Sequence, residues 1–365
     1  MFSHPIIQGP LVWDGSIEAS PELFTLTLEK EDQVEIDTAL EVFKSYGLDG
    51  GDVSADNFPL PGLKKRLEKV KEELHNGVGF YAIRGIDQSK YSVEDSVVIY
   101  LGLARHIGDR FGLQDRDGNI LCHVTDSKAW SVPAELRHGI HSNKSLPFHN
   151  DMGCDILGLQ VRQSASNGGS TYLASAATIF NDLVKTKPDV VETLLSQTWP
   201  IQVSGQKANY ILAPLMKIFE GKLLTSVDPG RLGPYPSADS KPSEVPSLTE
   251  SQQAALDALM ESAKKHEVRV SLNAGDLFFI NNWAVLHRRD SYHDDDDTSR
   301  HLVRLWLRNS QMGWAVPEEM QMPWKAAYGR KEEDGVYAIL PMPEYKVPRY
   351  TAGSAAFMIE DSDDE

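Results

Sequence analysis

Apolar positions change their period along this chain. In "LKKRLEKVKEELHNG", Leu63, Leu67, Val70 and Leu74 recur three or four apart on one helical face, and Gly77 closes the run. "VGFYAIRGI" follows as a buried strand. Ser92 and Asp95 form a capping-box pattern ahead of a second helix, "SVVIYLGLARHIGDRFG", ending near Gly108. From about residue 118 short strands dominate: "DILGLQVRQSA", "GGSTYLASA", "WPIQVSG", "NYILAPLMKIFEG", "KLLTSVDP", "EVRVSL", "LFFINN" and "HLVRLWLRN". "PDVVETLLSQ" interrupts them as a short helix. "LTESQQAALDALMESAKKH" is a longer one with a T-x-x-Q start at Thr249. Residues 1–60 read as a loop-rich extension broken by "DGGD" and "FPLPG". The Pro-, Gly- and Ser-rich stretch 230–248 reads as a surface loop. Helices first, then many short strands, predict one α+β, mainly β domain over residues 1–365, with a jelly-roll-like core and flanking helices.

Composition changes this picture little. Hydrophobic residues make up 41% and charged residues 24%, as in ordinary globular proteins. The net charge of −17 argues against nucleic acid and anionic membranes as partners. The run Asp294–Asp297 and the acidic tail at about 355–365 read as solvated chain. Two cysteines, Cys122 and Cys154, exclude a disulfide framework. No basic leader and no run of ~18 apolar residues is visible, so the expected location is cytoplasmic.

The chemistry centres on "LPFHNDMGCD". Residues two apart in a strand share a face, so His149 and Asp151 can reach one metal from one extended segment. Taken alone, they read equally well as a hydrogen-bonding loop pair. A second histidine would complete a 2-His-1-carboxylate set, which leaves positions open on Fe(II). Among the eleven histidines, His287 has a suitable context: in "NAGDLFFINNWAVLHRRDS", a Gly-containing turn leads into an apolar strand and then a polar edge. Thirteen residues on stands Arg300, and four further Arg304, on one face of a strand. A guanidinium there can clamp a carboxylate bidentately. Arg300 could instead pair with Asp294–Asp297. Cys154 reads as a small buried hydrophobe.

These motifs resemble the taurine dioxygenase (TauD/TfdA) family of Fe(II)/2-oxoglutarate oxygenases, which includes the clavaminate synthase-like enzymes. The resemblance rests on H-x-D at His149/Asp151, "NGGSTYLAS" at 167–175, "NAGDLFFINNWAVLHRR" at 273–289 and "SRHLVR" at 299–304. It runs from about residue 60 to 330. It implies a double-stranded β-helix (jelly roll, cupin-like) core, with Fe(II) as the metal and 2-oxoglutarate and O2 as co-substrates. It implies His149, Asp151 and His287 as catalytic iron ligands. Arg300 and Thr171 would hold the far carboxylate of 2-oxoglutarate. Arg304 would face the co-substrate's inner carboxylate or an anionic group of the substrate. Residues 138–148 should border the substrate pocket, and the Asp294–Asp297 loop could form a lid.

The expected reaction is hydroxylation of an unactivated C–H bond of a small anionic or zwitterionic substrate, in secondary metabolism. Arg304, Arg288 or Arg289 would receive the substrate's carboxylate. Desaturation or ring closure of an amino-acid-derived intermediate is the second reading. A non-catalytic jelly-roll binding protein is the third. A zinc hydrolase would leave Arg300 and Thr171 unexplained.

Overall fold

The strand Ile156–Gln163 is buried on both faces over its first six residues, as expected of a strand central in its sheet. The computed structural model describes residues 4–115, 117–203, 210–234, 244–332 and 335–346. The acidic tail at 355–365 and residues 235–243 of the expected surface loop lie outside the described residues.

Two sheets organise the chain. The larger uses β1 (Thr25–Thr27), β2 (Phe80–Arg84), β3 (Arg110–Gly112) and β4 (Leu121–Thr125). It also contains β6 (Ile156–Gln163), β9 (Leu277–Asn281) and β11 (His301–Arg308). Their order is β1-β2-β9-β6-β11-β3, with β4 also on β11. All pairs are antiparallel except β1 with β2. The smaller sheet is built from β5 (Leu146–His149), β7 (Thr171–Ser175), β8 (Val268–Val270) and β10 (Val285–Arg289). Its order is β8-β7-β10-β5, antiparallel throughout.

Side-chain alternation divides the interior into two cores. Leu157, Leu159 and Val161 of β6 pack with Leu302 and Trp306 of β11 and with Leu173 and Val270 of the smaller sheet. The opposite face presents Ile156, Phe279, Val303 and Leu305 to helices α1 (Lys30–Ser45), α2 (Lys64–His75) and α3 (Val93–Arg105). Each large side chain buried this way stabilises by about 1.5–3 kcal/mol. Helices α4 (Ala176–Thr186), α5 (Pro188–Leu195) and α6 (Glu250–Lys265) pack together beside the smaller sheet. Thr249 and Gln252 form the expected capping box of α6.

Two helices depart from the sequence reading. Residues 1–60 contain α1, whose Ile36, Ala39, Leu40 and Phe43 recur at helical spacing and are buried. Its cap is Glu29, bonded reciprocally with Asp32, so the usual Ser or Thr signal is missing. Likewise, "LASA" does not end in a loop. Ser175 closes β7 and its hydroxyl accepts from the Thr178 N–H, starting α4. Among the described residues no helix is long and apolar enough to cross a membrane.

A histidine pair, His123 buried and His301 half-buried, ties β4 to β11. His123 Nδ1 lies 2.8 Å from His301 Nε2, and His123 Nε2 lies 2.9 Å from the Ala338 carbonyl. One wiring satisfies both contacts: His301 donates to His123, and His123 donates to Ala338. Both rings are then neutral. Burial pushes His123 down to about 4 and His301 down to about 3. The unfolded chain therefore takes up protons first, near the ordinary value of about 6.5. Stability is full above that value and is lost as pH falls from about 6.5 towards 4. The melting temperature should fall on acidification from about pH 7 to 4.5, and a His123→Asn, His301→Gln double variant should show a shallower slope over that range. An unchanged slope would remove the pair from the acid transition.

Candidate metal centre

The chain crosses between the two sheets at the H-x-D stretch. His149 is the last residue of β5, in the smaller sheet, and Ile156 opens β6 in the larger. Asp151 therefore lies in the turn beyond the strand, not within a single extended segment. Gly153 makes that turn possible. Its φ is +89°, and a Cβ there would meet the Pro323 carbonyl oxygen at 2.4 Å.

Buried asparagines hold the turn. Asn282 Oδ1 accepts from the Asp151 N–H at 2.9 Å, while its Nδ2 donates to the carbonyls of Asp151 and Cys154 at 2.7 and 2.9 Å. Asn150 donates to the carbonyls of Asn282 and Val285 at 2.7 and 3.1 Å and accepts from the Val227 N–H at 3.1 Å. Sequence reading passed over both. Their only sign in the chain was that each stands next to a motif residue: Asn150 inside H-x-D, and Asn282 in the "INNW" corner.

Three donors then converge. His287, in β10, pairs directly with His149 of β5. Their rings are 4.2 Å apart. Each Nε2 is 3.8 Å from Asp151 Oδ1. One ligand atom from each of the three residues lies within 4.8 Å of the other two. The wiring fits a metal. His149 Nδ1–H donates to the Pro147 carbonyl at 2.9 Å, which leaves Nε2 as a lone-pair donor. Burial, with His149 and Arg304 nearby, pushes His287 down to about 3, so its ring is neutral. Burial alone would raise the Asp151 pKa. Arg304, the two histidines and the Trp306 N–H outweigh it and hold the carboxyl well below the usual range. A two-imidazole, one-carboxylate set of this kind leaves several metal positions open.

Arg304 is bound at the carboxylate. Its Nη1 is 2.9 Å from Asp151 Oδ2, and its Nε donates to Gln114 Oε1 at 2.7 Å. Trp306 Nε1 donates to the same Oδ2 at 3.0 Å. Asp151 is thus held by one oxygen while the other faces the histidines. Gln114 and Trp306 were not anticipated. Trp306 shares the Arg304 face by strand alternation, the signal that could have found it.

Arg300 and Thr171 line one cavity of about 260 Å³, with Val161 and Leu302. Gly169, at φ +69°, makes room for this arginine, since a Cβ there would lie 3.0 Å from Arg300 Nε. Among the described residues the Arg300 side chain forms no ion pair with the aspartate run. Asp294 Oδ2 accepts its backbone N–H at 3.0 Å, and Asp295 is spent on a turn with Thr298. Burial and the neighbouring Arg289 lower the Arg300 pKa to about 10.

Other candidates separate cleanly. Arg288 points away from the centre and bonds Glu267 through Nε at 2.6 Å and Nη2 at 2.9 Å, so it is no substrate receptor. Arg289, its neighbour, points inward and is buried. Cys154 is fully buried. Asp155 accepts from the indoles of Trp283 and Trp324 at 2.7 and 3.0 Å and from Arg308, on the far side of the turn. In residues 138–148, His141 is buried and His138 half-buried, and burial pushes His141 down to about 3.

The profile described as "Taurine catabolism dioxygenase TauD, TfdA family" matches residues 44–306. The chain is 31% identical over 344 residues to the "Taurine hydroxylase-like protein SAT17" of Stachybotrys chartarum, covering 91% of this chain and 88% of that one. It is 26% identical over 325 residues to the "FR-33289 synthase" of Streptomyces rubellomurinus, covering 86% and 93%. Its fold is similar to that of an asparagine oxygenase solved with Fe(II), 2S,3S-3-hydroxyasparagine and succinate. The TM-score is 0.60 at 16% identity, over 80% of this chain and 99% of that one. The chain belongs to the TauD, TfdA family of Fe(II)- and 2-oxoglutarate-dependent dioxygenases.

Proposed function

We propose that this oxygenase hydroxylates an unactivated C–H bond of a small carboxylate-bearing substrate, with release of succinate and CO2. The convergence of His149, Asp151 and His287 carries the reading. In it, these three residues hold Fe(II), and the two packed sheets form the double-stranded β-helix of such enzymes. Iron with 2-oxoglutarate and O2 supplies the oxidising chemistry. The protein's part is position and exclusion of water. Arg300 clamps the far carboxylate of 2-oxoglutarate, and Thr171 donates its hydroxyl beside it. Arg304 and Trp306 hold Asp151 so that Oδ1, not Oδ2, meets the metal. Arg304 therefore acts on the ligand carboxylate, rather than as a free receptor for a second anion.

The substrate would enter on the side of residues 138–148. There His138 and the buried Arg231 lie close enough to Asp151 and Arg304 to feel their charges. Trp130 and Tyr345 meet His141 edge-on with ring centroids 5.2 and 5.5 Å away. An aromatic wall of this kind, with the Arg231 guanidinium nearby, suits an amino acid or an amino-acid-derived acid. The asparagine oxygenase, whose structure holds a hydroxylated amino acid, supports that class.

Asp151→Ala should abolish the absorption of the Fe(II)–2-oxoglutarate chelate, and an unchanged spectrum would remove Asp151 from the ligand set. Asn282→Ala should keep the ligands but loosen their turn. Metal affinity, read by competition with a chelator, should fall about 10–100-fold. A screen of amino acids and small carboxylates should find substrate-stimulated succinate formation and a product heavier by one oxygen. A product lighter by two hydrogens would instead establish desaturation or ring closure. Failure to bind 2-oxoglutarate would favour a non-catalytic binding protein.

A further inference from the structure

Four buried polar atoms on three residues near Arg300 have no hydrogen-bond partner among the described residues. They are Nε and Nη1 of Arg289, Nη1 of Arg300, and the hydroxyl of Tyr292. Their residues are only 5%, 6% and 5% exposed, respectively. They surround one point of the fold. The Tyr292 ring has the Arg289 guanidinium 5.0 Å from its centroid and the Arg300 guanidinium 5.2 Å from it.

The strands explain the meeting. Arg289 is two residues beyond His287 on β10 and so shares its inward face. It stands directly opposite Thr171 of β7. Its Nη2 is anchored by the carbonyls of Ser142, at 2.9 Å, and Lys144. That anchor uses Nη2 and leaves Nε and Nη1 without a hydrogen-bond partner among the described residues. Arg300 arrives from the other sheet, at the start of β11, with its backbone held by Asp294. Of the nearby acids, Asp126 bonds Arg137 at 2.6 Å, and Asp294 gives Oδ2 to the Arg300 backbone while its buried Oδ1 has no hydrogen-bond partner among the described residues. Neither Arg289 nor Arg300 has a carboxylate within ion-pair distance among the described residues.

Two buried guanidiniums that share a ring, with no carboxylate at ion-pair distance among the described residues, repel each other and forgo hydrogen bonds, which is costly unless an anion joins them. A carboxylate has two oxygens and about four acceptor positions. Arg300 and Thr171 can fill only one side of it. We propose that Arg289 and Tyr292 complete the seat of the co-substrate's far carboxylate, so that 2-oxoglutarate is held by two arginines rather than one. This rests on the reading of Arg300 as the clamp. Arg289 thereby links the co-substrate to the 138–148 segment, through the same guanidinium that binds the Ser142 and Lys144 carbonyls.

The test compares two 2-oxo acids on the Fe(II)-loaded protein without oxygen, by titrating the absorption of the chelate. 2-Oxoglutarate carries the far carboxylate, and 2-oxovalerate has the same chain length without it. Arg289→Gln should weaken 2-oxoglutarate about tenfold or more, as expected for loss of a charge-assisted bond. It should leave 2-oxovalerate unchanged. Arg289→Lys should recover part of the loss, and Tyr292→Phe should show a smaller loss confined to 2-oxoglutarate. Equal weakening of both acids would overturn the inference, because Arg289 would then act on the fold or the metal end. Unchanged 2-oxoglutarate affinity in Arg289→Gln, with a loss in Arg300→Gln, would overturn the shared seat and leave the clamp intact. Unchanged affinity in Arg300→Gln would overturn the clamp itself. If Arg289→Gln melts well below the parent, the comparison rests on Arg289→Lys, for which the same selective loss is expected and an equal loss of both acids is overturning.

Discussion

The carboxylate of Asp151 is where the two sheets meet chemically. One oxygen is held by Arg304 and Trp306, both on β11 of the larger sheet. The other lies 3.8 Å from His149 and from His287, both on the smaller sheet. A buried carboxylate is costly without partners, and here the partners come from opposite walls. The position of the centre thus depends on the packing of the sheets against each other, and the turn bearing Asp151 has to bridge them. Gly153, Asn150 and Asn282 are the local means of making that bridge.

Three arginines are buried between the sheets, which is unusual for an interior. Arg289, Arg300 and Arg304 are each at most 6% exposed. Arg304 has its carboxylate within the protein. Arg289 and Arg300 have none at ion-pair distance among the described residues, and an anion would satisfy them. The apolar residues around them, such as Val161, Leu173 and Leu302, exclude water and so strengthen every charge interaction that forms there. On the outer face the same alternation sends Arg288 to Glu267, where it reinforces the surface and takes no part in the centre.

Much of this was legible in the chain. The strand pattern, the α6 capping box, H-x-D, the distal histidine and the arginine beyond it are local features, and local features survive in a sequence. The helix α1 was missed because its cap is an acid and its apolar face is short. The second half of the turn, Asn282, was missed because it stands far from Asp151 along the chain and only folding brings the two together. Arg288 looked as capable as its neighbour. Only the direction of a side chain separates them: Arg288 turns outward to Glu267 while Arg289 turns inward.

The sequence by itself determined the family, the candidate metal-binding residues and the candidate carboxylate-binding arginine, because these follow from residue identity and spacing. The tertiary structure alone decided that His149 and Asp151 meet across a turn rather than along one strand, and that Arg304 pairs with Asp151. It alone brought Arg289 and Tyr292 beside Arg300. Those outcomes depend on strand register and on which wall each side chain faces, and a shift of one residue in pairing would reverse them.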